Sequence, residues 1–556
     1  MYIIMIIYEK SYDFKIKNIN ERSNKIYFIT QFFIHKSVNR NDELKLCLIK
    51  NLQNVNLDKI ILLNETIYSD NELGIDKLQD NEKNKLIQIN INKRLEYSDI
   101  FEFVEIKNLQ GFIVFANSDI YVDDSIFILH NSYLETEKLM ISLLRFEDTN
   151  TIFGPRFDSN DTWIFHSNNN IEKSKRNGFK FYFGKPGCDN KYNYLVKVLG
   201  FNIINCPRYI KTYHCHKTNI RDYNNNDRVD SPFLCVEQLD YSTLLLNNTY
   251  YNSIILNSNY LEKYNFNDNN KFRDYLIDKI NKNNNFLIPR ISSVENNIAL
   301  IGYNLQNGII NDNIIKIIDE IVPIMKNNAG IKITDVNSLI KYSNLYLEAF
   351  ENCDMYANWE PHGNYIKYIQ ESHDFIMSKY IKNTIWWCIF DIYHHIYSNP
   401  WTLALKGKRI LLITSFVDSI KEVIDIREKI YGIDLFPECK FLFLKPPITN
   451  GSNESKEFID ELNDLNKQIE NIIDDFDVAL ISCGGYGNLV CNSIYKLNKS
   501  AIYVGGVLQM YFGIYGDRWI KERKSILDLY INEYWRRPKE NERPINYKNI
   551  EGGCYW

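Results

Sequence analysis

Four short stretches carry residue types and spacings that can do chemistry. ANSDIYVDD (116–124) ends an apolar run and offers hard oxygen donors. A diphosphate–metal complex needs such donors beside a backbone that phosphates can approach. Asp119 is the best ligand of this run, with Asn117 two residues ahead of it; both are also common turn formers at strand ends. In FYFGKPGCDNKYNYLVKVLGF (181–201), Gly184, Pro186 and Gly187 make a tight loop and Asp189 opens a helix. Asp189 is either a helix cap or a carboxylate held in a cleft as a general base. In IKTYHCHKTNIRDY (210–223), His214 and His216 alternate, so on a strand they share one side and Cys215 faces away. One of them can complete a metal site begun by Asp119, or both are surface residues. Finally CGGYGN (483–488) follows a strand and opens a helix, so Gly484, Gly485 and Gly487 can present free N–H groups to a phosphate. The dinucleotide fingerprint GxGxxG is not met, because its third glycine is Val490. The C-terminal stretch from Met510 to Trp556 is dense in Trp, Tyr and Arg, which suits either stacking on a sugar or nucleotide or a packed cap.

The elements that must position these residues follow from composition and pattern. The chain has 556 residues, 45% hydrophobic and 14% aromatic, enough for a sizeable core and against wholesale disorder. A net charge of -5 argues against nucleic acid as the main partner. No apolar run reaches the roughly 18–20 residues of a membrane span. The opening MYIIMII lacks a basic flank and a cleavage site and reads as a first buried strand. Eleven cysteines without a CxxC pair point away from a disulfide framework or structural zinc and toward a reducing, cytoplasmic setting. The 71 asparagines read as compositional drift, but unevenly: 13 fall in 251–300 and none in 401–449, which predicts dense regular structure in the latter.

In the first 220 residues, KIYFITQFF (25–33), KIILLNE (59–65) and GFIVFANSDI (111–120) read as strands. NDELKLCLIKNLQ (41–53) reads as a helix with Leu44, Cys47, Leu48 and Leu52 on one face. Such alternation predicts an α/β sheet whose ligands bind beyond the carboxyl ends of the strands. NIRDYNNNDRVD (219–230) and NFNDNN (265–270) read as loops or a linker. A second alternation follows. NFLIPRI (285–291), GKRILLITSF (407–416), ECKFLFLKPP (438–447), DVALISC (477–483) and SAIYVGG (500–506) read as strands. Leu339–Tyr397, 419–432 and 454–476 read as helical, giving a Rossmann-like half.

Taken in order, NRNDELKLCLIKN (39–51), LLNE (62–65), RLEYSD (94–99), ANSDI (116–120), SNDTWIF (159–165), FGKPGCDN (183–190) and KTYHCH (211–216) resemble a GT-A glycosyltransferase of large DNA viruses and bacteria, over about residues 25–223. The resemblance implies a nucleotide-sugar donor and a divalent metal, usually manganese. It makes Asp119 the last acid of the metal-binding DxD motif, with Asn117 in place of the first. It puts Asp161 and Asp189 where acceptor-site or catalytic carboxylates fall, and one of His214 and His216 as a further metal ligand. Arg94, ahead of the metal strand, would help hold the nucleotide. Residues 280–556 resemble GT-D-type domains more distantly. The expected strand followed by R-x-G-D-G-E is here IPRISSVE (288–295), which keeps Arg290 and Glu295 without the glycines and the aspartate. Arg290, Glu295 and the glycine turn would then bind a second nucleotide sugar.

The expectation is an α/β chain with a GT-A-like domain (1–225), a linker (226–275) and a GT-D-like Rossmann-type domain (276–556). It would transfer a sugar from a nucleotide-sugar donor to a hydroxyl of a glycan or glycoprotein acceptor, with a second transfer by the other half as the natural extension, in a cytoplasm or, if viral, a host cytoplasm or virion. The alternatives are a catalytic first half with a binding or scaffolding second half, or a C-terminal methyltransferase.

Overall fold

The computed structural model describes residues 6–18, 21–147, 151–154, 156–218, 227–239, 267–309, 312–359, 366–451 and 454–556. Much of the segment read as a linker, and most of 219–230, lies outside these residues, as do residues 1–5 of the opening run. The protein is α/β throughout and divides into two compact units, Tyr2–Ser258 and Asn259–Trp556. No helix among the described residues is long and apolar enough to cross a membrane.

In the first unit, strands β1 to β12 are Ile6–Lys10, Lys25–Thr30, Lys59–Asn64, Leu86–Asn90, Gly111–Ala116, Ile120–Val122, Leu139–Leu143, Phe146–Glu147, Thr162–His166, Asn202–Ile204, Thr212–His214 and Phe233–Glu237. Seven of them form one sheet in the order β10-β7-β9-β5-β2-β3-β4. The central β2, β3 and β5 are buried on both faces, which is why their sequences run apolar without alternation. Strand β9 is antiparallel to both β5 and β7. Helix α1 (Val38–Gln53) buries Leu44, Cys47, Leu48 and Leu52, and on the same stripe Arg40 and Glu43. Its Asn51 and Asn54 reach out of the core to backbone of β6. Asn51 Nδ2 donates to Ile120 O at 3.0 Å and Asn54 Nδ2 to Val122 O at 3.0 Å. These buried amides satisfy the edge of a short strand, so at least here asparagine is structural rather than drift. Strand β6 pairs antiparallel with β11, and β11 parallel with β8, in a three-stranded sheet.

Two stretches of the segment read as a linker carry regular structure. The apolar run Phe233–Glu237 pairs with β1 in parallel register, and Asn267–Asn281 is a helix.

In the second unit, β13 (Leu287–Ile288), β16 (Arg409–Thr414), β17 (Lys440–Leu444), β18 (Val478–Ser482) and β19 (Ser500–Tyr503) make an all-parallel sheet in the order β13-β19-β18-β16-β17. The predicted helical stretch 339–397 is interrupted by β14 (Met355–Asn358) and β15 (Asn383–Trp386), a parallel pair anchored to the end of β13 by a bridge between Arg290 and Ala357. The predicted helix 419–432 breaks into Val417–Lys421 and Glu428–Tyr431. Arg427 turns inward there to a two-pronged pair with Asp434, at 2.9 and 2.8 Å.

Candidate metal centre

The site forms where β5 ends. The β5–β9 ladder runs one step past Ala116, so that Asn117 N donates to Asp161 O at 3.1 Å. The β6–β11 ladder likewise extends to Asp119, whose carbonyl accepts Cys215 N at 2.9 Å, and the β11–β8 register sets His214 beside Glu147. Backbone pairing therefore delivers Asp119, His214 and His216 to one place, beyond the carboxyl end of a parallel strand. Cys215 points the other way and is buried, as the alternation predicts.

Asp119 is 7% exposed. A single oxygen, Oδ2, is the focus of the cradle. His214 Nε2 lies 3.2 Å from it, His216 Nδ1 3.7 Å, and Arg40 Nη2 donates to it. Donor atoms of Asp119, His214 and His216 all lie within 4.8 Å of one another, the one such group among the described residues. Metal bonds of about 2.1 Å place neighbouring ligand atoms about 3.0–3.4 Å apart, so the spacing suits a cation. His214 Nδ1 lies 3.6 Å from Glu147 Oε2, and the buried Asn117 Oδ1 has no hydrogen-bond partner among the described residues. One carboxylate and two imidazoles are a fitting donor set for a divalent ion of the manganese-to-zinc series.

The electrostatics agree. Burial works against ionising Asp119, yet His214 and Arg40 outweigh it and hold the carboxyl far below the usual range. Burial also opposes charge on His214, but the Asp119 carboxylate, with Glu147 behind it, carries the imidazole up to about 9.

A second ring surrounds the first. Arg40 Nη1 donates to Glu43 Oε2 at 2.7 Å and to Cys215 O at 3.1 Å, and Glu43 accepts Thr218 N at 2.9 Å. Arg145 joins Glu147 at 3.2 Å to Asp161. Asp161 is fully engaged: one oxygen takes Arg145, the other Asn117 Nδ2 at 2.8 Å. In this arrangement Asp161 orients Asn117 and is itself held by Arg145. Asp189 stands in the first turn of helix α2 (Cys188–Val198) behind Gly187, and its Oδ2 accepts Asn160 N at 3.0 Å. The neighbouring Tyr97 ring stacks on Phe183 at 4.0 Å and its hydroxyl donates to Cys188 Sγ. Burial beside this aromatic wall, with Asp161 and Asp158 near, pushes the Asp189 carboxyl up to about 7. Asp119, His214, Glu147, Arg145, Asp161 and, through Asn160, Asp189 form one linked chain of groups.

Arg94 does not join this chain. It is exposed, donates to Phe183 O at 2.6 Å and lies over the Tyr182 ring, on the loop that leads to Asp189. In the second unit Arg290 lies within electrostatic reach of Glu295. Asn488 clamps the Arg290 backbone through two bonds of 2.9 Å, and the guanidinium lies over Tyr503 in space left by Gly505. Burial raises Glu295, with Arg290 pulling the other way. The glycine turn, however, is a packing device. A Cβ on Gly487 would lie 2.3 Å from the Tyr503 ring, one on Gly485 2.5 Å from Ile331, and one on Gly484 2.9 Å from Ala329 O. Tyr503 and Tyr342 hydroxyls donate to the carbonyls of Gly484 and Gly485, each at 2.8 Å. These contacts explain why glycine stands at the three positions. The aromatic C-terminal stretch packs as a cap, with Tyr555 against Gly506 and Gly516 and Trp556 against Phe416.

Sequence reading missed Arg40, Glu43, Arg145 and Glu147. For the first two a signal existed: charged residues at positions 40 and 43 share the apolar stripe of α1 with Leu44 and Cys47.

No family model and no curated protein matches the chain. Among solved structures, a mannosyltransferase from Pyrobaculum calidifontis in complex with GDP-Man and Mn2+ is similar at 9% identity and TM-score 0.28, over 38% of this chain and 62% of that one. GalNAc-T7 with UDP, GalNAc and Mn2+ is similar at 8% identity and TM-score 0.24, over 36% of this chain and 45% of that one. A domain of unknown function 1792 is similar at 12% identity and TM-score 0.26, over 49% of this chain and 91% of its own. The chain thus spans less than two thirds of the first two. Likenesses this distant decide nothing about activity.

Proposed function

We propose that the first unit is a metal-assisted glycosyltransferase that moves a sugar from a nucleotide-sugar donor to a hydroxyl of a glycan or glycoprotein. The observation that carries this reading is the convergence of Asp119 Oδ2, His214 Nε2 and His216 Nδ1 at the mouth of β5, linked to a carboxyl held near neutrality. Asp119, His214 and His216 would hold a divalent cation, manganese in the simplest case. When bound, such a cation neutralises the diphosphate leaving group.

The chain's own residues do the rest. The acceptor oxygen bonds to the anomeric carbon as the bond from that carbon to the diphosphate breaks, and the acceptor proton passes to Asp189. A base near pH 7 is matched to this task, because it is ionised enough to accept and basic enough to pull. Asn160 N–H fixes the carboxylate's direction. Arg145, through Asp161, fixes Asn117. Arg94 offers a cation over Tyr182 to the nucleotide side.

Asp119→Ala and Asp189→Ala test the assignment. Each should abolish transfer, and only the first should weaken nucleotide binding in manganese; full activity in either removes that residue's role. The donor is identified by a hydrolysis screen of UDP-, GDP- and dTDP-sugars with manganese.

In the second unit, Arg290, Glu295 and the glycine turn would bind a second nucleotide sugar in a bifunctional enzyme; the rivals are a binding or scaffolding half and a methyltransferase. Loss of a second sugar from the product on Glu295→Ala would support the first, unchanged products the scaffold, and binding of S-adenosylmethionine by calorimetry the methyltransferase.

A further inference from the structure

The oxygen that both imidazoles face is already taken. Arg40 Nη2 sits on Asp119 Oδ2, 79 residues away in sequence, and Arg40 is only 8% exposed. Its other arm is divided between Glu43 Oε2 and Cys215 O. Glu43 cannot draw the guanidinium away, since Thr218 N and Oγ1 occupy its oxygens at 2.9 and 3.1 Å. A guanidinium does not give up its proton. Any cation entering the cradle therefore meets a fixed positive charge that shares its carboxylate oxygen, in surroundings where like charges repel far more than in water.

We propose, on the metal reading above, that Arg40 is a standing counter-cation that makes metal capture conditional on an anionic diphosphate. The free protein holds Asp119 ready without metal, and so escapes the penalty of a lone buried carboxylate. For the same reason it binds a divalent cation weakly. A nucleoside diphosphate brings the negative charge that offsets Arg40, so metal and diphosphate enter together. Arg40 is thus a positioning residue for the 119 and 215–218 backbone and a gate on metal occupancy. The usual expectation for a residue touching a metal ligand is that its loss weakens metal binding; here the sign is opposite.

The experiment measures Mn2+ affinity by electron paramagnetic resonance and calorimetry, with Mn2+ alone and with Mn2+ plus UDP or GDP, on the full chain and on Arg40→Met, Arg40→Gln and Arg40→Lys. The unaltered chain should bind Mn2+ at least tenfold more tightly when a diphosphate is present. Arg40→Met and Arg40→Gln should bind Mn2+ alone at least tenfold more tightly than the unaltered chain, with the diphosphate effect reduced. Arg40→Lys keeps the charge and should stay close to the unaltered chain. In melting curves the two neutral variants should be less stable without metal and gain more from Mn2+. Unchanged or weaker Mn2+ binding in a folded neutral variant overturns the proposal while leaving the metal centre standing. Absence of Mn2+ binding in every protein, with and without diphosphate, removes the metal centre and this proposal with it.

Discussion

Asp189→Asn should make the protein more stable and inactive at once, with the gain growing as pH rises. In the fold this carboxyl titrates near 7, while in the unfolded chain it titrates near 3.8. The folded state therefore holds a proton that the unfolded state has released between these values. The native state carries no penalty below about pH 4, loses stability as pH rises, and bears the full penalty of about 4 kcal/mol above pH 7. Asn keeps an oxygen for the 3.0 Å bond from Asn160 N and removes the charge. Against the native residue the gain should be about 1–1.5 kcal/mol at pH 5 and about 3–4 kcal/mol at pH 8, the lower figures allowing for residual hydration at the exposed edge of the carboxylate. Because the chain has two units, the measurement has to read the first one by itself. Urea unfolding followed peptide by peptide through hydrogen exchange does so, using the buried strand Thr162–His166 as reporter. A gap between variant and native protein that stays constant or narrows from pH 5 to pH 8 would refute the raised carboxyl. The same titration governs catalysis: kcat/KM should rise with pH through about 7 and then level off.

Other outcomes are expected of the same site and of the second unit. Asp119→Asn should abolish Mn2+ uptake by calorimetry and lower stability by about 1–3 kcal/mol, because buried Arg40 keeps only Glu43 of its two carboxylates. His214, held up to about 9, stabilises the metal-free fold fully below about pH 6.5 and loses that contribution as pH rises through 9. Mn2+ uptake at pH 7.5 should therefore release about one proton, seen as a heat that depends on the buffer's ionisation enthalpy; buffer-independent heats would contradict this. Gly487→Ala, which sets a methyl 2.3 Å from the Tyr503 ring, should destabilise the second unit by about 1–3 kcal/mol and leave Mn2+ uptake by the first unchanged.

What could be read from the sequence was whatever local pattern decides. The buried strands at 25–30, 59–64 and 111–116 and the apolar face of α1 show in hydrophobic runs and spacing, and the shared side of His214 and His216 shows in their alternation. The pairing of Asp119 with Cys215 and of His214 with Glu147 does not, because register between segments about 70–95 residues apart is set by the whole sheet. The partners of Asp161 are hidden for a related reason: Arg145, 16 residues away, meets it only once the fold has formed. The turn at 483–488 shows the ambiguity of glycine, which marks close approach of a phosphate and close approach of a tyrosine ring equally well. The asparagines teach the opposite lesson: Asn51, Asn54 and Asn193 lie buried and bonded, so a composition that reads as noise is in places a means of satisfying backbone.

The asparagine at position 117 gains meaning from the charge of the whole cluster. By formal charge, the guanidiniums of Arg40 and Arg145 face the carboxylates of Asp119, Glu43, Glu147 and Asp161, which leaves two negative charges uncompensated. Protonated His214 offsets one of them. An aspartate at 117 would add a third negative charge within reach of Asp161, with which the present amide shares a 2.8 Å bond that two carboxylates could not make. The amide instead donates to Asp161, and its own oxygen is buried with no hydrogen-bond partner among the described residues. The departure from two acids at the end of β5 is thus compatible with binding a divalent cation. It follows from having recruited Asp161 and Arg145 into the support of the site.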